Sequence, residues 1–247
     1  MAKVPSHPSR IWLDQYALSG YLTASELKVE QETAKIDCFT DAGPRRLVGN
    51  YDHTGSHMGL FDAAASDALD PVVAAAFAAD TDHYLAQAFG SAAEDAVVYE
   101  RVVRLKGQPR KAATGAAILL NIEDEGSGPL VRGRILRSAA VTAPGNGTGR
   151  NLGATTSGQL FVVTYRILAV SGSGSIVLQC QESQNDGSPD SYASIAALAS
   201  GTLSAVGVTR KTTTGATEAW KRISVATGKR SIWSVGHDQM QPIIGRK

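Results

Sequence analysis

The sequence predicts a mainly β protein, two antiparallel β-sheets packed on one another and flanked by a single α-helix. Three observations carry this. Short apolar runs of strand length recur along the 247 residues, bounded by Gly, Ser, Asn and Asp clusters. Residues 159–170 and 176–183 are the clearest pair, joined by a Gly/Ser stretch at 171–175. One stretch alone carries the signals of a long helix. Finally, only 19% of residues are charged while 43% are hydrophobic, and so charge-poor a surface is more often covered by neighbours than left in water. The pattern builds sheet surface rather than a reaction centre, which points to a protein whose work is assembly.

In chain order, residues 1–13 read as an extended N-terminal arm, with Pro5 and Pro8 opposing regular structure. Residues 11–22 end in the Ser19-Gly20 turn, and 26–30 alternate as a half-buried strand. After 36–40, the cluster 41–44 marks a loop. Residues 50–62 read as a strand whose Gly55 and Gly59 suggest bulges or close backbone contact. The helix is expected at 70–89, with Asp70 as N-cap, Pro71 at the first helical position and Gly90 as the stop. Its expected apolar face is Val73, Phe77, Tyr84, Leu85 and Ala88. Strands follow at 98–105, 116–122 and 129–136, with 107–109 as a turn and 123–128 as a loop. Behind 143–158, a Gly/Thr-rich loop or linker, a short helix is expected at 192–198 and strands at 202–209, 218–225 and 231–235. The organisation is thus an arm (1–13), a β domain (14–142), a linker (143–158) and a C-terminal β region (159–247). That last region either completes the sheets or forms a second small β subdomain.

Charge excludes some partners. The net charge of +1 argues against a nucleic-acid-binding module. Before Gly145 the chain has 14 basic and 18 acidic residues, a balance of −4, and from there on 10 and 5, a balance of +5. Opposite ends of opposite sign suit head-to-tail stacking of copies. Cys38 and Cys180 read as two buried free thiols, too few for a disulfide framework. The N-terminus lacks the apolar core of a signal peptide, and no run reaches the ~18 apolar residues of a membrane span. The expectation is a chain made in a cytoplasm that stays soluble until something incorporates it.

Candidate chemistry dissolves on inspection. His53 and His57 lie four apart on an expected strand, about 13 Å at ~3.3 Å per residue, too far to share a metal. The neighbours Asp52-His53, Asp82-His83 and His237-Asp238 read as solvated side chains, since adjacent strand residues face opposite ways. Glu123-Asp124-Glu125 reads as a solvated hairpin tip before Gly126-Ser127-Gly128. The glycines of 145–149 lack the Lys-Ser/Thr of a phosphate loop. Lys221-Arg222 and Lys229-Arg230 read as surface charge, or as ion-pair partners for a neighbouring subunit. No catalytic residue, metal ligand or cofactor is expected.

The order of segments resembles the major tail protein, or tail tube protein, family of long non-contractile-tailed bacteriophages. Tyr16-Ala-Leu-Ser-Gly-Tyr-Leu22 resembles the family's opening Leu-Ser-Gly-Tyr-Leu turn. Residues 32–42 resemble the polar run leading into Thr-x-Phe-Gly-Asp, although Cys38-Phe39-Thr40 reverses the order of Thr and Phe. Gly59-Leu-Phe-Asp62 resembles the Gly-x-Phe-Asp strand end that a helix follows. In the second half, 149–155 and the strand to Val170 continue the likeness, and Gln181-Glu-Ser-Gln-Asn-Asp-Gly187 resembles the Gln-x-Ser-x-Asp-Asp-Gly hairpin. The likeness spans most of 14–238.

The resemblance implies a tail-tube-like sandwich or barrel. Six copies form a ring whose inner strands join into one β-barrel, and rings stack into the tube through which genomic DNA leaves. Its implied partners are copies of itself, the tape-measure and other tail proteins, and DNA passing non-specifically; no membrane and no cofactor are implied. The implied location is the virion tail, assembled in the host bacterial cytoplasm. The candidate assembly residues are Ile11, Trp12 and Leu13 in the arm, Arg45 and Arg46 in the loop at 40–50, Asn146 and Arg150 in 143–158, and the pair Lys221 and Arg222. The alternatives are a capsid decoration or tail-terminator protein, and a carbohydrate-binding β-sandwich, which needs exposed aromatics that the dispersed Trp12, Trp220 and Trp233 do not obviously supply.

Overall fold

A computed structural model describes residues 10–36, 45–64, 66, 68–89, 93–114, 116–138, 141, 143–156, 158–170, 175–227 and 237–238, with backbone alone for 32–36, 45–51, 227 and 237–238. The mainly β expectation holds. In chain order come β1 (Arg10–Leu13), β2 (Tyr16–Ala17), β3 (Leu22–Ile36), β4 (Arg45–Leu60) and helix α1 (Leu69–Ala79). Then follow β5 (His83–Ala88), β6 (Val97–Gly107), β7 (Arg110–Lys111), β8 (Leu119–Gly126) and β9 (Val131–Ile135). The remainder is β10 (Gly145–Asn146), β11 (Arg150–Asn151), β12 (Phe161–Ile167), β13 (Ile176–Ser183) and β14 (Ala193–Ser194), a 3-10 turn at Ala196–Leu198, then β15 (Thr202–Leu203), β16 (Gly207–Thr213), β17 (Trp220–Thr227) and β18 (His237–Asp238).

The chain folds as two units that interleave in sequence. One comprises 1–20, 83–101 and 130–242, the other 21–82, 102–129 and 243–247.

In the first unit, β12 shows why these residues make a core. All seven of its residues are buried, so both faces of the strand are covered, and it reads as a nearly continuous apolar run. Phe161, Val163, Tyr165 and Ile167 point one way, into a cluster with Ile176, Leu178, Cys180, Ile223 and Val225. Val162, on the opposite face, packs against Val131. Burying each such side chain stabilises by about 1.5–3 kcal/mol. β12 pairs with β16, and β13 pairs with β17. A second cluster joins Trp12, Ala86, Ala88, Val98 and Ile135.

The other face of β12 is held by charge. Arg166, fully buried, donates from one terminal nitrogen to Glu100 Oε2 at 2.8 Å, from Nε to the Asp14 carbonyl at 2.8 Å and from the other terminal nitrogen to the Tyr84 carbonyl at 3.1 Å. Thr164 donates to the second Glu100 oxygen. Asp14 in turn accepts from the Tyr84 amide at 2.8 Å and pairs with His83 Nδ1 at 2.7 Å. These bonds join the β1–β2 turn, β5, β6 and β12.

The second unit is a sheet with a helix on one face. β3 and β4 form an antiparallel pair of 15 and 16 residues, β4 pairs with β8, and β8 pairs with the second half of β6 and with β7. Gly59 is the close contact expected of it: a β-carbon there would lie 2.8 Å from the Tyr21 carbonyl oxygen and 2.8 Å from Leu69 Cδ2 of α1.

Several expectations need correction. The helix stops at Ala79, because Asp80 takes the left-handed conformation (φ 47°) as its C-terminal cap, and 83–88 pair instead with β1. Its N-cap is Ala68, and Asp70 bonds Arg110 from the first turn. Phe77 is exposed. Residues 123–126 belong to β8 rather than a loop, and Asp124 is buried. His53 and His83 are buried rather than solvated. The arm is a paired strand from residue 10, and 45–50 are strand rather than loop. The short helix at 192–198 reduces to the turn at Ala196–Leu198, and the strand at 202–209 divides into β15 and β16. The strand expected at 231–235, Gly90, Cys38 and Trp233 lie outside the described residues.

Candidate assembly surface

The sheet of the second unit has two unlike faces, because directly paired residues project to the same side. Ser25, His57 and Ile122 share one face, with Leu27, Gly55 and Asp124 beside them. Here His57 Nδ1 lies 2.7 Å from Ser25 Oγ and its Nε2 lies 3.1 Å from Asp124 Oδ2. His53 Nε2 lies 2.8 Å from the Gly128 carbonyl. This is the face α1 covers at Gly59. Ser25, His57 and Asp124 thereby pin the register of β3, β4 and β8, which a one-residue slip would invert.

The opposite face is charged and exposed. It presents Glu26, Lys28 and Glu30 from β3, Asp52 from β4, Glu123 and Glu125 from β8, and Arg104 and Lys106 from β6. Five acids stand against three bases. Lys28 pairs with Glu30 at 2.7 Å and Lys106 with Glu125 at 3.3 Å, while Arg104 turns to Asp82 at 3.0 Å. Hydrogen bonding to Asp82 and its charge raise the Arg104 pKa, and Glu30 does the same for Lys28. The bases are thus engaged, and acidic charge remains in excess.

The borders of this sheet also differ. β3 pairs only with β4 among the described residues, so one long backbone edge is unmatched. Beneath that edge Leu27 is half-buried, and Val29 is 39% exposed. In the first unit, by contrast, β13 and β17 are flanked by the two-residue strands β14, β15, β10 and β11. Very short edge strands resist further pairing.

The residues singled out from sequence fall in three places. Ile11, Trp12 and Leu13 are buried in β1, which pairs with β5. Arg45 and Arg46 lie on β4 opposite Ile36 and Lys35. The other four converge on β17: Asn146 opposite Ser224 and Arg150 opposite Lys221, next to Arg222. Lys221 is not surface charge. It is fully buried, 3.2 Å from Glu182 and 5.2 Å from the centre of the Phe161 ring, and it donates to the Glu218 carbonyl. Arg222 bonds Gln181 at 2.8 Å and lies 3.9 Å over the Tyr192 ring. Burial, then the neighbouring Asp190 and Glu182, raises the Glu218 carboxyl above its ordinary pKa. Sequence reasoning missed the Glu100–Arg166 pair and the Ser25–His57–Asp124 line; their members lie 66 residues apart or 32 and 67 apart, with no local signal. Among the described residues no group of His, Cys, Asp or Glu is arranged to hold a metal.

No family model matches the chain, and no curated protein matches it in sequence. Solved structures that match the chain include the virion of a native gene transfer agent particle, with TM-score 0.40 and 12% identity over 49% of this chain and 92% of that one. The SPP1 tail tube matches with TM-score 0.42 and 10% identity over 51% of this chain and 76% of that one. The SPP1 Dit protein matches with TM-score 0.36 and 10% identity over 94% and 99%. Identities of 10–12% and TM-scores of 0.36–0.42 are too low to transfer any residue's role.

Proposed function

We propose that the chain is a structural subunit of a phage tail, a tail tube protein that joins copies of itself edge to edge into hexameric rings. The observation that carries this is the unmatched 15-residue edge of β3. So long an open edge is a template for another strand, and Leu27 and Val29 beneath it offer apolar surface to whatever adds there. β6 is interior to the strand order, between β8 and β5, and β3 is the terminal strand, so in this reading the β3 edge meets an unlike edge of the next copy. Such a heterologous contact closes into a ring when the rotation permits. The segment resemblance supplies the six-fold ring and the stacking of rings.

In this reading the charged face of β3, β4, β8 and β6 lines the channel. Excess acid there repels DNA phosphates and keeps the passing genome from sticking. The tape measure and other tail proteins are its partners, the virion tail its location, and no catalysis is required of it.

Negative-stain electron microscopy of the concentrated protein tests this. Rings or stacked tubes with a central channel are expected, and Val29→Lys, which sets a charge under the joining edge, is expected to abolish them while the subunit still melts cooperatively. Stable trimers, or tubes unaffected by Val29→Lys, would overturn the reading and favour a decoration or terminator role.

A further inference from the structure

The solvent face of the β13–β17 ladder carries a hydrogen-bonding array that tube assembly does not use. Arg222 Nε donates to Gln181 Oε1 at 2.8 Å, Gln181 Nε2 donates to Ser194 Oγ at 3.2 Å, and Ser194 donates to Gln179 Oε1 at 3.1 Å. Each donor in this chain is ordered by the one before it, and the chain ends at the half-buried Gln179. Tyr192 flanks the array, stacked on Arg222 at 3.9 Å, with its hydroxyl donating to Asp186 at 2.7 Å. Trp220 lies two positions before Arg222 on the same face, opposite Ser183 and half-buried.

The chemistry of this face narrows its ligand. None of the exposed large hydrophobic side chains lies on it, so it lacks the apolar centre of a protein interface. Arg222 is stacked on the Tyr192 ring whose hydroxyl bonds the Asp186 carboxylate, so its charge is balanced nearby and the face has no excess of positive charge to bind nucleic acid. What it offers is uncharged amides and hydroxyls in fixed orientation beside amphipathic aromatic rings, which make large contacts at low entropic cost. The match in charge is to an uncharged ligand dense in hydroxyl groups.

We propose that this face is a binding site for a neutral oligosaccharide, with Gln179 and Gln181 bonding sugar hydroxyls through their second amide hydrogens and remaining carbonyl lone pairs, Ser194 holding both amides in place, and Trp220 covering a sugar face. The site is independent of ring formation, since it needs neither β3 nor the charged face. It equips the first unit to hold a surface polysaccharide while the second unit builds the assembly.

Isothermal titration of the full chain with maltohexaose, chitohexaose and xylohexaose at millimolar concentration tests this. At least one is expected to bind, and Gln181→Ala and Trp220→Ala are each expected to weaken it about tenfold, equivalent to ~1.4 kcal/mol, with Phe77→Ala unchanged. Gln181 is a surface side chain, so its variant keeps the test valid if Trp220→Ala does not fold. Failure of all three sugars to bind, or binding indifferent to Gln181→Ala, overturns the proposal. So does loss of self-association in Gln181→Ala, which would make the face a contact between copies.

Discussion

At the scale of single residues, the most consequential groups are polar ones withdrawn from water. Arg166 and Glu100 are both essentially unexposed and 2.8 Å apart. Removing Arg166 leaves Glu100 with Arg210, 3.6 Å from its Oε1, as its cation, and costs up to about 3–5 kcal/mol, whereas replacing both Arg166 and Glu100 with apolar residues costs less. Arg166→Met is therefore expected to lower the unfolding free energy by that amount in urea titration, and Arg166→Met with Glu100→Leu to recover much of it. Equal losses in the single and double variants would show that the pair contributes by shape alone. Gly59 makes the second case. A methyl there meets the Tyr21 carbonyl of the backbone, which cannot rotate away. Gly59→Ala is expected to cost about 1–3 kcal/mol, read by the same titration. Glu218 gives a pH signature of opposite sign to the usual carboxylate. Its pKa is raised in the fold, so its charged form opposes folding above that pKa, and the penalty disappears as pH falls through it. Glu218→Gln is expected to raise the melting temperature slightly, by about 1–2 °C, at pH 7 and not at pH 3.

At the scale of elements, strands were legible where both faces are apolar or alternate, and the helix was legible only at its start. β13 occupies the expected Ile176–Ser183 because its buried and half-buried positions alternate. The segment 80–89 reads as helix from its alanines, yet 83–88 pair with β1, more than seventy residues earlier, and tertiary pairing overrides propensity. Asp124 looked like a solvated tip because Glu123 and Glu125 flank it. Only the register of β4 against β8 reveals that it faces His57. The same holds for Lys221, whose sequence neighbours cannot disclose Glu182 or Phe161. The signal that ends α1 is Asp80 in the left-handed region, φ 47° and ψ 41°. Glycine adopts that conformation without penalty and β-branched residues resist it. Asp80→Gly is expected to hold or raise stability by up to about 1 kcal/mol, and Asp80→Ile to lower it by about 1–2 kcal/mol. Circular-dichroism melting checks both, and an indifferent Asp80→Ile would show that the helix end relaxes.

At the scale of the whole molecule, charge is divided between the two units rather than spread over the surface. The first unit has fourteen basic and nine acidic residues, net +5, and the second ten and fourteen, net −4. The balance is the same as that of the two sequence halves, although the units are cut differently, with Arg101 in the basic unit and 102–129 in the acidic one. In the proposed assembly, edge pairing through β3 would depend on backbone bonds and apolar contact, which salt barely weakens. Contact between the basic unit of one copy and the acidic unit of another is long-ranged and is screened within about 10 Å at 0.1 M salt and about 3 Å at 1 M. The two kinds of contact therefore separate experimentally. Raising salt is expected to slow the growth of stacked tubes severalfold, read as the initial slope of light scattering, while rings formed through β3 persist in electron micrographs. Growth that accelerates with salt would assign stacking to apolar contact instead, leaving the opposed charges of the two units without a part in assembly.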